Sequence, residues 1–221
     1  MAESVPIYIG FDKREAVAWH TCVQSILDNC SQPDRLSFHA VTGEQRDGSN
    51  SFIYARFLVP WRVGFRGWAI FLDGDMIVKG DVMELWEQRA YGNRGVSVVK
   101  HDYRTKYPLK YLGNPNEDYP RKNWSSVIVW NCSFYPNRML TPTFVERSTG
   151  SFLHRFSWLK DEEIGELPDN WNRLVMEQCV SAEDKLLHYT VGIPAFAEYA
   201  DCDSAEDWWR TYRRMLAPIE G

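Results

Sequence analysis

The chain has 221 residues, with 25 Lys and Arg against 30 Asp and Glu, a formal net charge of −5 at pH 7. That length allows one domain with a full core or two small ones, and a hydrophobic fraction of 44% with 14% aromatics excludes wholesale disorder. The acidic balance argues against a nucleic-acid binder, whose affinity rests on Lys and Arg neutralising phosphates, so a phosphate-bearing partner needs a local basic site or a metal.

Residues 5–10 (VPIYIG) form an apolar run closed by glycine and predict a strand. Asp12 and Glu15 have the spacing of a capping box. Apolar residues at Val17, Trp19, Val23, Ile26 and Leu27 recur near the helical period, so residues 15–27 are predicted helical and complete a βα start. Residues 36–41 predict a second strand, 43–51 a polar, Gly-containing loop, and 52–59 a helix stopped by Pro60. Residues 68–72 (WAIFL) read as the most clearly buried strand; it runs into Asp73-Gly74-Asp75 and resumes over 76–78. A short helix with Asp81 as its cap follows over 81–88, then a strand over 95–100 and a long polar stretch over 101–122. A loop of that length in a compact domain is usually functional or flexible. Residues 125–131 (SSVIVWN) return to a strand pattern, Thr141-Pro142 opens a helix, 186–190 (LLHYT) is a last strand, and 205–216 is a helix carrying Trp208, Trp209, Tyr212 and Met215. No repeat or linker divides the chain. One domain over residues 1–221 is expected, of α/β class, with a mostly parallel central sheet flanked by helices.

Five cysteines without CxxC or Cys/His spacing read as free thiols of a reducing compartment. The start shows no basic segment followed by an apolar run, and no apolar stretch approaches the roughly 20 residues of a membrane helix, so a cytoplasmic protein without a transmembrane segment is expected. Ten tryptophans suit either a thick core or a surface that stacks on sugar rings.

The sharpest chemical signal is Asp73-Gly74-Asp75. Two carboxylates ending a buried strand are costly in a core, but they stand where open α/β sheets bind ligands. Carboxylate oxygens are hard ligands for Mg²⁺ or Mn²⁺, which commonly bridge protein carboxylates and substrate phosphates. The alternative is an ordinary Asp-Gly turn. His188, ending an apolar strand, either completes that metal site or is a half-buried imidazole bonded to backbone. Arg56, in Tyr54-Ala55-Arg56, has the planar fork suited to a phosphate or a site carboxylate; the alternative is a surface arginine.

These residues resemble a family. In collinear order over about residues 5–196, the chain looks like a retaining glycosyltransferase of the GT-A (nucleotide-diphospho-sugar transferase) fold, nearest to glycosyltransferase family 8. The segment 71–78 (FLDGDMIV) matches the DxD motif, 122–131 (KNWSSVIVWN) the strand beside the donor sugar, 167–172 (LPDNWN) the Leu-Pro…Asn stretch, and His188…Gly192…Pro194 the metal-binding histidine segment. The resemblance implies Asp73, Asp75 and His188 as ligands of Mn²⁺ or Mg²⁺. It also implies a nucleotide-sugar donor, favouring a UDP-sugar, contacted by Ile9, Gly10, Phe11, Asp12, Tyr54, Arg56, Asp73, Gly74, Asn123, Ser125, Ser126 and Gly192. Asp102 falls where the family has an Asp near the transferred sugar. His154 and Arg155 occupy the place of the family's residues facing the reacting carbon. The implied acceptor is a saccharide or glycolipid, with peripheral membrane contact as one role for residues 205–216 and capping of the sheet as the other. Gly192 comes one residue late, and the family's phosphate-binding Lys is missing; Arg56, Lys13 and Arg14 are its candidate substitutes.

Two rivals come from other classes. A haloacid-dehalogenase-like, Mg²⁺-dependent phosphotransferase also has an apolar strand entering Asp-x-Asp, but that motif normally lies on the first strand, and no later strand here ends in Asp-Asp. A non-catalytic carbohydrate-binding domain accounts for the tryptophans and leaves the buried Asp pair unexplained.

Overall fold

The computed structural model describes residues 3–44, 46, 50, 52–90 and 93–217; Met1 and Ala2, and residues 45, 47–49 and 51 of the predicted loop 43–51, lie outside the described residues. In chain order the elements are β1 (Val5–Gly10), α1 (Ala16–Asn29), β2 (Leu36–Val41), α2 (Val59–Arg62), β3 (Trp68–Leu72), β4 (Met76–Val78), α3 (Val82–Glu87), β5 (Val96–Val98), β6 (Val127–Asn131), α4 (Pro142–Arg147), α5 (Gly150–His154), β7 (Ile164–Glu166), β8 (Arg173–Leu174), β9 (Leu186–His188) and α6 (Ala205–Met215), joined by loops and short 3-10 turns.

Strand alternation decides the layering. Ile7 and Ile9 of β1, Ile70 and Leu72 of β3, and Val127 and Val129 of β6 face one apolar layer, shared with Cys22 and Ile26 of α1. Tyr8, Ala69, Phe71, Ile128 and Trp130 face the other, shared with Phe57, Leu153 and Phe156. Both faces of the sheet are therefore covered, which is why these strands read as nearly continuous apolar runs.

The main sheet has the order β2-β1-β3-β6-β5-β7. β1 pairs in parallel with β2 and β3, and β5 with β7, whereas β6 runs antiparallel to both β3 and β5. The expected mostly parallel sheet is present, with one reversed strand inserted. A second sheet, β4-β9-β8, pairs Met76 with His188 across β4 and β9. Since β2 and β3 lie on opposite sides of β1, the chain changes direction there, and a crevice opens at the carboxyl ends of β1 and β3.

Two sequence expectations change. The predicted helix 52–59 is instead a turn, a 3-10 segment over Ala55–Leu58 and then α2, which contains Pro60. Pro60 sits in the first turn of α2, where a missing N–H removes no helical bond, so it starts a helix here instead of stopping one. The strand β7, absent from the sequence reading, is three residues long and includes Gly165, too little for a periodic signal.

The last helix caps the smaller sheet. Trp208 is 1% exposed, stacks on Tyr212 at 5.4 Å between centroids, and packs with Ala18 of α1, Ile77 and Leu187. No helix among the described residues is long and apolar enough to cross a membrane. We expect Trp208→Ala to lower unfolding stability by about 3–5 kcal/mol, the usual range for emptying a large buried aromatic site, measured by urea denaturation.

Candidate active site

The turn leaving β3 is pressed against the end of β1. A Cβ on Gly74 would stand 2.3 Å from the Gly10 carbonyl oxygen, and one on Gly10 would stand 2.3 Å from the Phe52 ring. Only glycine permits that approach, and it sets Asp73 and Asp75 at the crevice. The Asp73 N–H donates to the Ser126 carbonyl (3.0 Å), tying the turn to the start of β6.

Asp73 is 8% exposed, and its Oδ1 lies 2.8 Å from Nη1 of Arg56, itself buried. The same Nη1 donates to the Ser125 carbonyl (2.9 Å), and Nε to that of Ile53 (3.2 Å). Arg56 is thus the carboxylate partner, not a surface arginine. His188 Nε2 lies 3.3 Å from Asp75 Oδ1 and 3.9 Å from Asp73 Oδ2. One ligand atom from each of Asp73, Asp75 and His188 falls within a 4.8 Å cluster. Asp73 Oδ1 and Asp75 Oδ1 are buried yet accept no hydrogen bond of proper geometry. Buried carboxylate oxygens normally find donors, so this donor set of two carboxylates and an imidazole fits a divalent cation.

Neighbouring amides set the histidine. Asn172 Nδ2 donates to Ser126 Oγ (2.8 Å), and Ser126 Oγ donates to the Asn123 carbonyl (2.6 Å). The Asn172 amide oxygen must then face His188 Nδ1, 3.0 Å away. Neutral His188 accordingly carries its hydrogen on Nδ1 and turns the Nε2 lone pair toward the two aspartates, the state a metal ligand requires. Burial pushes the Asp73 carboxyl up against the pull of Arg56. At Asp75, burial is outweighed where His188 is protonated and donates to it, with Lys110 adding to the pull, and the carboxyl then lies below the usual range.

A cleft surrounds this cluster and is lined also by Asn123, Ser125, Ser126, His154, Lys110 and Thr190. Asn123 has φ 61°, a left-handed conformation that asparagine tolerates, and its Nδ2 donates to the Tyr103 hydroxyl (2.8 Å). His154 Nδ1 is 2.7 Å from Ser125 Oγ, while its Nε2 is buried without a hydrogen-bond partner. Burial, aided by Arg56, pushes His154 down to about 3, so the ring is neutral at ordinary pH. A narrow recess adjoins the cleft at the ends of β1 and β3, lined by Gly10, Asp12, Glu15, Phe52, Gly74 and Tyr111 among others. Asp12 caps the turn before α1, accepting from the Arg14 N–H (2.9 Å) and pairing with its guanidinium at 2.6 Å. Glu15 is buried, and burial with the nearby Asp75 charge pushes it up to about 8.

The remaining expected residues are placed differently. Ile9 is fully buried behind the sheet, and Phe11 is held by its N–H to the Val41 carbonyl (2.9 Å) and by an edge contact with Trp19. Tyr54 and Arg155 line a neighbouring cavity with Gly150 and Ser151. Asp102 is exposed just beyond β5 and does not line the cleft. Gly192 packs against Tyr199, whose ring a Cβ would meet at 2.2 Å. Lys110, Tyr111, Tyr119 and Asn172's orienting role were not singled out from sequence, because the loop over 101–122 has no periodicity to place its side chains. A buried network orders that loop: Glu177 accepts from Thr105 Oγ1 (2.7 Å), the Lys106 N–H (2.7 Å) and Asn116 Nδ2 (3.0 Å), and Lys122 Nζ donates to Asn116 Oδ1 (2.7 Å).

Known proteins share this arrangement of elements. The structure is similar to WbbM, a bifunctional glycosyltransferase, with a TM-score of 0.65 at 17% identity, over 96% of this chain and 50% of that one. It is similar to the glycosyltransferase GlyE of Streptococcus pneumoniae TIGR4 with a TM-score of 0.65 at 15% identity, over 97% and 62%. The galactosyltransferase LgtC, solved with donor and acceptor sugar analogues, gives 0.65 at 13% identity over 98% of each chain. The chain thus spans half of WbbM and less than two thirds of GlyE. Its fold is the GT-A fold of these glycosyltransferases. No protein-family model matches the sequence. At the sequence level the chain is 36% identical over 217 residues to Protein CDI of Arabidopsis thaliana, covering 91% of this chain and 83% of that protein, and it belongs to the family of that protein.

Two outcomes are expected. Arg56→Ala strands the Asp73 charge and costs about 3–5 kcal/mol in chemical denaturation, with much of the loss recovered in the Arg56→Ala/Asp73→Ala double variant. Glu15 has a folded pKa of about 8 against an unfolded value of 4.5, so the native state holds the extra proton. Its stabilising contribution is full below the unfolded value and is lost as pH rises through the folded one. The melting temperature of Glu15→Gln should therefore match wild type in mild acid and exceed it increasingly toward pH 8, in a thermal-unfolding series.

Proposed function

We propose that the protein is a metal-dependent glycosyltransferase that moves a hexose from a nucleotide-sugar, foremost a UDP-sugar, to a saccharide or glycolipid acceptor with retention of configuration. The observation that carries this reading is the convergence of Asp73, Asp75 and His188 within 4.8 Å at the crevice, where Asp75 Oδ1 is buried without a hydrogen bond. Mn²⁺ or Mg²⁺ at these residues supplies positive charge to a departing diphosphate, acting as a Lewis acid. The likeness to LgtC, whose structure holds donor and acceptor analogues, supports a donor in the cleft and an acceptor beside it.

The chain's own residues divide the remaining work. Arg56 holds Asp73 in place, and Asn172 fixes the ring of His188. The nucleoside lies along the crevice mouth beside Gly10 and Glu15, and Asn123, Ser125 and Ser126 border the sugar. Neutral His154 offers a hydrogen-bonding nitrogen at the sugar's edge but no positive charge. The cavities lined by Tyr119 and Ile53 with Asn116 on one side, and with His154 and Arg155 on the other, receive the acceptor. All five cysteines are free thiols, which supports a reducing compartment such as the cytoplasm.

The test is a thermal-shift panel of UDP-, GDP- and ADP-sugars with and without Mn²⁺, since a ligand bound only to the native state raises the melting temperature. Stabilisation by one nucleotide class that requires Mn²⁺, and that Asp75→Ala abolishes while remaining folded, is expected. Equal responses with and without Mn²⁺, or undiminished donor turnover in Asp75→Ala, would overturn the assignment.

A further inference from the structure

Three cations stand near the crevice as sequence candidates for holding phosphate, and the structure commits two of them elsewhere. Arg56 pairs with Asp73, Arg14 pairs with Asp12, and Lys13 is exposed. Lys110, from the middle of the long loop, enters the same cleft as Asp73, Asp75 and His188. The turn that delivers it is built for the purpose. Leu109 and Pro115 form an isolated bridge, the Lys110 N–H donates to the Asn114 carbonyl (2.8 Å), and the Tyr111 N–H donates to the Val191 carbonyl (2.7 Å). The half-buried side chain donates from Nζ to Thr190 Oγ1 (3.0 Å), two residues beyond His188, and forms no ion pair among the described residues. A lysine that reaches into a polar cleft and ends on a neutral hydroxyl has charge to spare for a ligand.

Resting on the glycosyltransferase reading, we propose that Lys110 is the phosphate-binding cation of this protein, contacting the diphosphate of the donor and of the released nucleoside diphosphate. The charges agree. Asp73, Asp75, Arg56 and Lys110 sum to no net charge, so with a divalent cation the cleft carries a net charge of two that matches the two negative charges of a diphosphate diester. Removing Lys110 leaves one of those phosphate charges uncompensated in a partly desolvated cleft. Burial, with Lys122 nearby and against the pull of Asp75 and Asp73, holds the ammonium down at about 8, so an arriving anion strengthens the charged form.

The experiment compares wild type with Lys110→Met, which keeps the apolar stem, and Lys110→Arg, which keeps the charge. UDP, GDP and ADP are titrated by calorimetry in saturating Mn²⁺, and Mn²⁺ alone is followed by electron paramagnetic resonance. For the nucleotide that wild type binds, Lys110→Met should weaken binding roughly 10- to 100-fold, the worth of a hydrogen bond to a charged group, and Lys110→Arg should restore most of it. Both variants should keep the wild-type melting temperature and bind Mn²⁺ alone at least as tightly as wild type. Unchanged nucleotide binding in Lys110→Met, or equal losses in Met and Arg, refutes the role of the charge while leaving the glycosyltransferase reading intact. Wild type that binds Mn²⁺ but no nucleoside diphosphate refutes both.

Discussion

Negative charge at the end of a buried strand governs the architecture around it. Asp73 follows four fully buried residues of β3, and a carboxylate there survives only with positive charge or strong donors nearby. Every neighbouring element answers that demand. The 3-10 segment before α2 turns Arg56 inward, β9 ends on His188, and the loop before β6 offers its backbone to both Arg56 and Asp73. None of these elements is adjacent to β3 in sequence. The need to accommodate two carboxylates is therefore also what joins the main sheet to the smaller one, because Asp75 precedes β4, and β4 pairs with the strand that carries His188.

Orientation is settled one layer further out. The Asn172–Ser126–Asn123 chain leaves the His188 ring a single hydrogen-bonding arrangement, so the face it shows the aspartates is determined before any ligand arrives. Such pre-orientation lowers the ordering cost of binding. The loop over 101–122 follows the same logic. Although irregular, it is held by Glu177, Asn116 and Lys122, polar groups buried deeply enough that each must be satisfied.

Much of this was legible in the sequence, for physical reasons that differ by residue. The buried strands β1, β3 and β6 announced themselves because both faces are covered and their side chains are uniformly apolar. Asp73 and Asp75 stood out because carboxylates contradict such surroundings, and the DxD resemblance gave them partners. Arg56 falls in the expected helix 52–59, which does not form: a 3-10 segment over Ala55–Leu58 precedes α2, and from it the guanidinium reaches Asp73. Trp130, within the expected sugar strand, packs in one apolar layer while its neighbour Val129 packs in the other, because both faces of β6 are covered. Lys110 was invisible for a different reason. Its position depends on a bridged turn and on tertiary anchors at Val191 and Thr190, none of which leaves a local pattern.

The reversal of β6 has a consequence for how this scaffold accepts change. Because β6 runs against β5, the end of one and the beginning of the other lie side by side at the ligand-bearing edge, with Val98 opposite Ile128. The loop between them begins and ends at nearly one place, like a drawer fixed at a single seam. Its outer part can change in length without moving a strand, so long as Lys110 and residues 123–126, which reach into the charged turn, keep their places. A charged floor that is costly to alter is thus joined to a wall whose outer part can vary within one contiguous stretch of chain.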